Sequence, residues 1–316
     1  MMKYRKLDGI EVPASSIVFG CCNPILINDE KGAEALLDAA FAKGFNTFDT
    51  AKVYGRSEEV LGRWLSSAGT RKESVIITKG CHPDLASRLN ADALKEDIES
   101  SLDRLKTDHI DIYMLHRDDR NADIGPVLET LGDYVKNGVI RRIGASNWTH
   151  QRIDEANSLA VSSGLPGFSA SSPQMSIAKL VRDPWGGGCV SISWDKEAGR
   201  WYRNHPEVPV FAYSCLGRGL FSGKVDTNHP LKLRRSLDRA ARYGYLCREN
   251  IKRLKAAEDI AKKRGCTVAQ VALSWLWSHD FDVFPVATIS SEKRMQENID
   301  AIELALTSEE LERLNG

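Results

Sequence analysis

The sequence predicts an α/β fold, specifically a (β/α)8 barrel of parallel strands, the TIM barrel. Short apolar runs typical of buried strands alternate with amphipathic helical patterns along the chain, and eight runs of the first kind are present. No Pro/Gly/Ser-rich linker or internal repeat divides the 316 residues, so we expect one barrel domain over residues 1–316. An open doubly wound sheet is the alternative fold, but no G-x-G-x-x-G motif follows the first run.

The eight strand candidates are rich in Val, Ile and Phe and are bounded by residues typical of turns. In chain order they are SIVFG (16–20), FNTFD (45–49), SVIITK (74–79), HIDIYMLH (109–116), VIRRIGAS (139–146), GFSASSP (167–173), VPVFAYS (208–214) and DVFPVATI (282–289). Helical patterns lie between them at 30–44, 57–67, 90–105, 124–138, 149–164, 249–265 and 267–277. The last residues, LTSEELERLNG, predict a final helix capped by Thr307 or Ser308.

Three segments lie outside this regular alternation. The residues ahead of SIVFG are expected to form an amino-terminal hairpin. Residues 176–207, with Trp185, Trp194 and Trp201, interrupt the sixth unit, and the basic residues 217–248 follow the seventh strand. We expect both to be extended loops on the mouth side, where such loops cover a ligand or determine specificity. The basic stretch suits a cofactor with three phosphates, and a solvated helical face is the alternative.

The composition argues against several classes of function. The 43 basic and 43 acidic residues cancel, so the net charge does not call for nucleic acid or an anionic membrane. The seven cysteines show neither C-x-x-C nor the Cys/His spacing of a metal site, which predicts reduced thiols and no bound metal. No signal-peptide pattern is present, and no apolar run approaches the ~20 residues of a membrane helix. A cytoplasmic protein is therefore expected.

Ionisable side chains follow three predicted strands at their carboxyl ends. Asp49 ends FNTFD, Lys79 ends SVIITK and His116 ends HIDIYMLH, while Tyr54 lies five residues beyond Asp49. Because the carboxyl ends of barrel strands converge on one mouth, the four groups are expected to face one cavity. Each residue alone would more simply be a helix cap, a solvated charge or a packing residue. Their joint placement, about one βα unit per step, favours a common site.

These residue types predict the reduction of a carbonyl group. The Tyr54 phenol is a poor acid at neutral pH, since its reference pKa is ~10, but an ammonium at Lys79 would favour the phenolate and ease proton loss. Asp49 would keep Lys79 charged and oriented, and His116 would donate a hydrogen bond to the carbonyl oxygen. Such a site protonates an oxygen that is becoming an alkoxide. The hydride has to come from a nicotinamide cofactor, because no side chain supplies one.

Over essentially its whole length the chain resembles the aldo/keto reductases. The matching segments, in order, are FDTAKVYGRSEEVLG, VIITKG, IDIYMLHR, IGASNW, FAYSCLGRGLFSGK, TVAQVALSWLW and SSEKRMQENIDAIELALTSEEL. The resemblance implies that Tyr54 is the general acid and that Lys79 and Asp49 tune it. It implies that His116 orients the carbonyl group.

The resemblance also implies a site for a nicotinamide nucleotide. Ser146, Asn147 and Gln174 would hold the carboxamide, which needs both donors and acceptors, and Tyr213 would stack under the nicotinamide ring. Without the family context, the three polar residues would be read as turn formers or strand ends. The other implied contacts are Ser214, Leu216 and Gly217 along the pyrophosphate, and Ser290, Ser291, Arg294, Glu297 and Asn298 around the 2′-phosphate and adenine.

NADPH (NADP+) is the expected cofactor, and NADH is the less favoured one. The planar guanidinium of Arg294 suits a 2′-phosphate and stacks on adenine. Many family members carry a lysine a few residues upstream, where this chain has TISS at 288–291. The hydroxyl groups of Ser291 and Ser290 would take over its hydrogen bonds.

The substrate is expected to be a small carbonyl compound. Trp148 and Asp118 predict a hydroxylated or sugar-like one, because an indole covers apolar C–H faces and a carboxylate accepts from hydroxyls. Alternatively, Asp118 and Asp119 cap the following helix or pair with nearby arginines. Two other functions stay open. One is a cofactor-sensing regulatory subunit similar to the potassium channel β-subunits of this fold, and the other is oxidation of a sugar or polyol by the same residues in reverse.

Overall fold

The computed structural model describes residues 1–83 and 87–316, and a short antiparallel strand pair begins the chain. β1 (Tyr4–Arg5) and β2 (Ala14–Ser15) pair with Tyr4 opposite Ser15, which confirms the predicted hairpin. Leu7 and Ala14 are buried against apolar residues inside the barrel, among them Val18 and Phe284. The hairpin thus covers the amino-terminal end of the barrel, opposite the mouth.

Eight parallel strands close into a barrel in the described part of the chain. They are β3 (Val18–Gly20), β4 (Thr47–Asp49), β5 (Val75–Gly80), β6 (Ile110–Leu115), β7 (Ile140–Ser146), β8 (Ser171–Ser172), β9 (Val210–Ala212) and β10 (Val283–Ala287). Each strand pairs with the next in sequence, and β10 pairs with β3 to close the ring. The predicted (β/α)8 barrel is therefore confirmed.

Helices surround this barrel and separate its strands. They are α1 (Pro24–Asn28), α2 (Glu30–Ala42), α3 (Ser57–Ala68), α4 (Ala91–Leu105), α5 (Gly125–Lys136), α6 (His150–Ser162), α7 (Lys196–Asn204), α8 (Pro230–Ser236), α9 (Arg239–Tyr245), α10 (Arg248–Arg264), α11 (Val268–Trp277), α12 (Glu292–Asp300) and α13 (Ser308–Asn315). Short 3-10 turns cover Arg71–Glu73, Gly217–Gly219 and Ala301–Glu303. Thr307 caps α13 through a capping box with Glu310, so the first of the two predicted caps is the one observed.

The sixth strand is shorter than the sequence predicts. GFSASSP predicts a strand over 167–173, but β8 is limited to two residues. The side chain of Asn157 on α6 engages the backbone of Phe168, because its Oδ1 accepts from the Phe168 N–H at 2.7 Å and its Nδ2 donates to the carbonyl at 3.0 Å. Pro173 has no N–H to extend the ladder at the other end.

The two segments predicted as mouth-side loops also contain helices. α7 lies within residues 176–207 and takes the place of the sixth barrel helix, so only the part ahead of it exceeds a plain βα unit. Asp195 begins this helix by accepting from the N–H groups of Glu197 and Ala198 at 2.9 and 3.0 Å. α8 and α9 lie within residues 217–248, so part of the basic stretch is helical surface.

The seven cysteines all lie in the described part of the chain and are unbridged, with Cys21, Cys81 and Cys215 buried. Within residues 1–83 and 87–316, no three His, Cys, Asp or Glu side chains are grouped so that they could hold a metal ion. None of the helices in these ranges combines the length and the apolar composition that crossing a bilayer demands.

Candidate active site

The two-residue period of the strands places the predicted catalytic side chains at the mouth. Ile77 and Met114 belong to the apolar layer inside the barrel. Lys79 and His116 each lie two residues further along, so their side chains also point inward, above that layer. His116 continues the ladder by donating its N–H to the Gly80 carbonyl at 2.8 Å.

Asp49 and Lys79 form a buried ion pair at this level. Lys79 Nζ lies 2.5 Å from Asp49 Oδ2 and also donates to the Thr50 carbonyl at 3.0 Å. Burial raises the pKa of the Asp49 carboxyl, and the Lys79 ammonium opposes that rise. The pair therefore carries a desolvation cost that its geometry only partly offsets, which is typical of ion pairs in functional sites.

Tyr54 lies against both the ammonium and the imidazole. Lys79 Nζ is 5.4 Å from the centre of the Tyr54 ring. The rings of Tyr54 and His116 meet edge to face, with their centroids 5.7 Å apart. The structure thus brings together the four residues that the sequence singles out as catalytic.

The pKa of the Tyr54 phenol departs from the direction expected from sequence. The Lys79 ammonium was expected to lower it, whereas burial, followed by the negative charge of Asp49, raises this pKa well above its ordinary value. Removing the phenol from water outweighs the charge of Arg117, which lowers this pKa. The phenol is therefore protonated at neutral pH, which is the form that a proton donor requires.

The imidazole of His116 is held neutral. Burial, followed by the positive charge of Lys79, lowers the pKa of His116 well below its ordinary value. Its Nδ1 is buried and has no hydrogen-bond partner among the described residues. A proton on Nδ1 would be an unpaired buried donor, so we assign the proton to Nε2, where it can be donated to a ligand.

Strained backbone is concentrated at the mouth. The non-glycine residues in the left-handed region there are Cys81 (φ 57°), Asn147 (φ 61°), Ser214 (φ 51°) and Arg218 (φ 50°). Three of them directly follow or lie just beyond the strands β5, β7 and β9. Such conformations cost of order 1–3 kcal/mol each and tend to cluster at active sites and ligand clamps.

The predicted carboxamide residues lie side by side and are buried. Asn147 Nδ2 donates to Ser146 Oγ at 3.0 Å, and its Oδ1 accepts from the Tyr213 hydroxyl at 2.6 Å. Gln174 follows β8 and is bridged to Tyr213 in parallel register. Ser146, Asn147 and Gln174 are each at most 5% exposed, whereas Tyr213 is half-buried. Tyr213 is therefore the most accessible residue of this group.

Residues 188–193 run directly over these groups, a contact that the sequence did not reveal. Cys189 Sγ lies 2.9 Å from the Tyr213 hydroxyl, and Gln174 Oε1 accepts from Ser191 Oγ at 2.5 Å and Ser193 Oγ at 3.3 Å. The sequence feature that could have predicted a turn here is the run of three glycines at 186–188. Their φ values of 87°, 123° and 75° allow a tight turn. The partners of the turn could not be read from that run.

The predicted nucleotide contacts lie around α12 and the segment after β9. Arg294 Nη1 donates to the Ser222 carbonyl at 3.2 Å, which joins the two elements. Gly217 adopts φ 56° in the turn after β9, where Ser214 and Leu216 are half-buried. On or beside α12, Ser290 and Ser291 are exposed, Glu297 is half-buried and Asn298 is buried.

This donor set fits a nicotinamide nucleotide cofactor. The start of α12 offers exposed hydroxyls and backbone N–H groups beside the Arg294 guanidinium, which suits a phosphate. The amides of Asn147 and Gln174 supply the donors and acceptors that a carboxamide needs. In the described residues, these amides are engaged by other side chains of the protein, so a carboxamide would have to exchange with those bonds.

Trp148 and Asp118 are not arranged as a surface for a substrate. Trp148 is 0% exposed and packs edge to face against Phe168, with centroids 5.2 Å apart. Asp118 pairs with Arg152 at 3.4 Å, and the Arg152 guanidinium lies 5.4 Å from the Trp148 ring centre. The ion-pair alternative is closer to what is observed, although the partner is on α6. We do not carry these two residues into the proposed substrate site.

The three tryptophans of residues 176–207 lie in different environments. Trp194 and Trp201 pack against the helices around the barrel. Trp185 is 40% exposed at the rim, and the Arg218 guanidinium lies 4.4 Å from its ring centre. This contact connects the segment ahead of α7 with the turn after β9.

Comparisons with known proteins agree with the fold and the motifs. The model of the aldo/keto reductase family matches residues 17–316. The uncharacterized oxidoreductase YrpG of Bacillus subtilis (strain 168) is 26% identical over 329 residues, which cover 99% of this chain and 95% of that protein. The NADP(+) aldo-keto reductase yakc of Schizosaccharomyces pombe (strain 972) is 26% identical over 96% of this chain and 87% of its own length.

A solved structure shares the barrel. The crystal structure of a thermostable aldo-keto reductase with the inhibitor epalrestat superposes with a TM-score of 0.75, at 24% identity, over 99% of both chains. This likeness concerns the fold, whereas the family model covers nearly the whole sequence. The chain therefore belongs to the aldo/keto reductase family of oxidoreductases.

Proposed function

We propose that the protein is an NADPH-dependent carbonyl reductase in which Tyr54 protonates the oxygen of an aldehyde or ketone. The observation that carries the proposal is the cluster at the mouth. There, the centre of the Tyr54 ring lies 5.4 Å from Lys79 Nζ and 5.7 Å from the centre of the His116 ring. The phenol is protonated and the imidazole is neutral. Reduction of a carbonyl group needs a proton donor of this kind at the oxygen.

In this mechanism, Tyr54 gives its proton to the carbonyl oxygen as negative charge develops there. The Lys79 ammonium stabilises the phenolate that is left behind, and Asp49 keeps that ammonium charged and in place. His116 donates from Nε2 to the same oxygen and so defines the direction in which the carbonyl group points. Burial raises the pKa of Tyr54, so the phenol keeps its proton until a substrate can accept it.

A bound nicotinamide cofactor supplies the hydride, which no side chain provides. Ser146, Asn147 and Gln174 would hold its carboxamide, and Tyr213 would stack on its ring. Along the nucleotide, the proposed contacts are Ser214, Leu216, Gly217, Ser290, Ser291, Arg294, Glu297 and Asn298. NADPH is favoured because the half-buried Arg294 donates only to the Ser222 carbonyl among the described residues, which leaves guanidinium donors for a 2′-phosphate.

The test is to follow the absorbance of NADPH with a panel of aldehydes and ketones while nucleotide binding is measured separately by fluorescence. Substrate-dependent consumption of NADPH that is absent without a carbonyl compound would support the proposal. Tight nucleotide binding with no turnover of any carbonyl compound would count against it. That result would favour the alternative in which the barrel senses nucleotide for a partner protein.

A further inference from the structure

We propose that Arg117 binds a negatively charged group of the substrate, so that the preferred substrates are carbonyl compounds that also carry a carboxylate. The inference rests on the proposed carbonyl reductase function and names the substrate class of the same site. Arg117 directly follows His116 at the mouth end of β6, and it is half-buried.

The guanidinium of Arg117 lies close to the reacting groups. Its Nη1 donates to the Gly188 carbonyl at 2.9 Å, and the next residue, Cys189, contacts the Tyr213 hydroxyl at 2.9 Å. Burial and Asp49 raise the pKa of Tyr54, and the charge of Arg117 is among the effects that oppose this rise. The charge of Arg117 therefore acts on both the proton donor and Tyr213, where burial also raises the pKa and Arg117 opposes the rise.

Arg117 differs from other arginines around the mouth because no carboxylate of the described residues forms an ion pair with it. Three of the other arginines there are each paired with an aspartate: Arg88 with Asp97 at 2.7 Å, Arg152 with Asp118 at 3.4 Å and Arg218 with Asp238 at 2.7 Å. A half-buried guanidinium without an anionic partner carries an uncompensated desolvation cost. A carboxylate on the substrate would be the missing anionic partner, and it would accept two parallel charge-assisted hydrogen bonds from the guanidinium.

The carboxylates nearest to Arg117 along the chain and across the loop have other partners. Asp118 is turned toward Arg152. Asp119 Oδ1 accepts from the Asn121 N–H at 3.0 Å. The carboxylate of Asp183 accepts from the backbone N–H groups of Trp185 and Cys189 at 2.7 and 2.8 Å. None of these three carboxylates forms an ion pair with Arg117 in the described part of the chain.

There is room for such a group beside Arg117. A cavity of about 340 Å³ lies next to the ends of β5 and β6, and its lining includes Cys81, Ser87, Arg88 and Arg117. Arg120 and the carboxylates of Asp118 and Asp119 also line this cavity. Arg88 and Asp118 already have ion-pair partners outside the lining, so Arg117 is the half-buried cation in it that has none among the described residues. A substrate whose carbonyl group reaches Tyr54 could therefore place its charged end beside Arg117.

The experiment compares linear oxo-carboxylates of two to five carbons with their methyl esters, which lack the negative charge and carry one additional methyl group. We expect wild type to prefer the acid in kcat/KM by at least tenfold for one chain length. Arg117→Met should lower that preference about 10- to 100-fold, mainly through the KM of the acid, as expected for loss of a charge-assisted hydrogen bond. Arg117→Lys should retain an intermediate preference, because it keeps the charge without the planar fork.

Arg141→Met is the matched control, since this exposed arginine lies on β7 and is not among the residues that line the cavity. It should change the preference less than twofold. Equal loss for acid and ester in Arg117→Met would mean that Arg117 only holds the Gly188 carbonyl, and the proposal would be overturned.

A binding measurement separates this inference from the proposed function. Calorimetry with benzoate and benzamide should show a preference for benzoate in wild type that is lost in Arg117→Met, whether or not any carbonyl compound is turned over. Equal affinity of wild type for the two probes would overturn the inference even if uncharged aldehydes are reduced well.

Discussion

Charged side chains at the two ends of the barrel differ in how fully their donors and acceptors are satisfied. At the amino-terminal end, Arg71 lies just ahead of β5, and all three of its guanidinium nitrogens have partners. Nε donates to Thr107 Oγ1 at 2.9 Å, Nη1 to the Ser74 carbonyl at 3.0 Å and Nη2 to the His109 carbonyl at 2.9 Å. Asp111 Oδ2 lies 2.9 Å from the same Nη2 and completes the pair.

At the mouth, three arginines also have carboxylate partners, but the groups nearest the proposed ligands are short of partners among the described residues. Arg117 donates to one carbonyl group, and so does Arg294. His116 Nδ1 has no hydrogen-bond partner. The Asp49–Lys79 pair is close, yet burial still raises the pKa of the carboxyl.

The comparison distinguishes charges that hold the fold together from charges that are available to a ligand. A charge with all its donors and acceptors engaged adds stability and has no capacity left for chemistry. A charge that is buried but under-satisfied costs stability, and a substrate or cofactor can relieve that cost. Substitutions at the two ends should therefore affect different measurable quantities.

The largest effect is expected for Tyr54→Phe. Turnover should fall by ~100-fold or more, the scale of general acid catalysis, while nucleotide affinity and unfolding midpoint stay close to wild type. Lys79→Met should behave similarly in turnover. Tyr4→Phe is the control at the closed end, because the Tyr4 hydroxyl donates only to the Gly44 carbonyl. Near-normal turnover in Tyr54→Phe would remove this residue from the proposed role.

The next effect concerns stability at the closed end. Arg71→Met leaves Asp111 without its cation and should lower the free energy of unfolding by about 3 kcal/mol, at the low end of the range for breaking a buried pair. Arg117→Met should change the same quantity by no more than about 0.5 kcal/mol. Urea unfolding of both variants at neutral pH measures the contrast. Comparable losses in the two variants would show that the ends of the barrel do not differ as described.

A smaller effect is expected at the nucleotide end of the mouth. Arg294→Met should weaken NADPH binding by ~1.5–3 kcal/mol, the range for a charge-assisted hydrogen bond, and should hardly change the affinity for NADH. Lys293→Met, at the exposed neighbouring position, is the control. Equal weakening of both nucleotides would show that Arg294 does not contact the 2′-phosphate. A wild-type preference for NADH would mean that the hydroxyls of Ser290 and Ser291 do not replace the upstream lysine.

The smallest effect depends on pH and lies away from the mouth. The Arg264 guanidinium, 2.8 and 2.7 Å from the two carboxylate oxygens, lowers the pKa of Glu310 to about 2. A carboxyl whose folded pKa is lowered adds stability above its unfolded pKa and loses it as the pH falls through the folded value. Glu310→Gln should therefore lower the melting temperature by on the order of 2 °C at neutral pH. The difference should shrink below about pH 4.5 and vanish near pH 2, and a difference independent of pH would contradict this assignment.

The sequence by itself was sufficient to predict the barrel and the grouping of Asp49, Tyr54, Lys79 and His116. Alternating strand and helix patterns permit few topologies. In a parallel barrel, the carboxyl ends of all the strands lie at the same mouth. The two-residue strand period then turns Lys79 and His116 inward whatever the detailed packing. These features depend on local patterns that any chain with the same spacing would share.

Three properties of the site depend on tertiary contacts, which local sequence patterns do not encode. Burial raises the pKa of Tyr54, against the direction expected from a neighbouring ammonium, because desolvation depends on every atom packed around the phenol. Trp148 follows a strand end as predicted, yet it is fully buried against Phe168. The absence of an ion pair at Arg117 within the described residues depends on Asp118 meeting Arg152 from another helix, and sequence spacing carries no information about such distant partners.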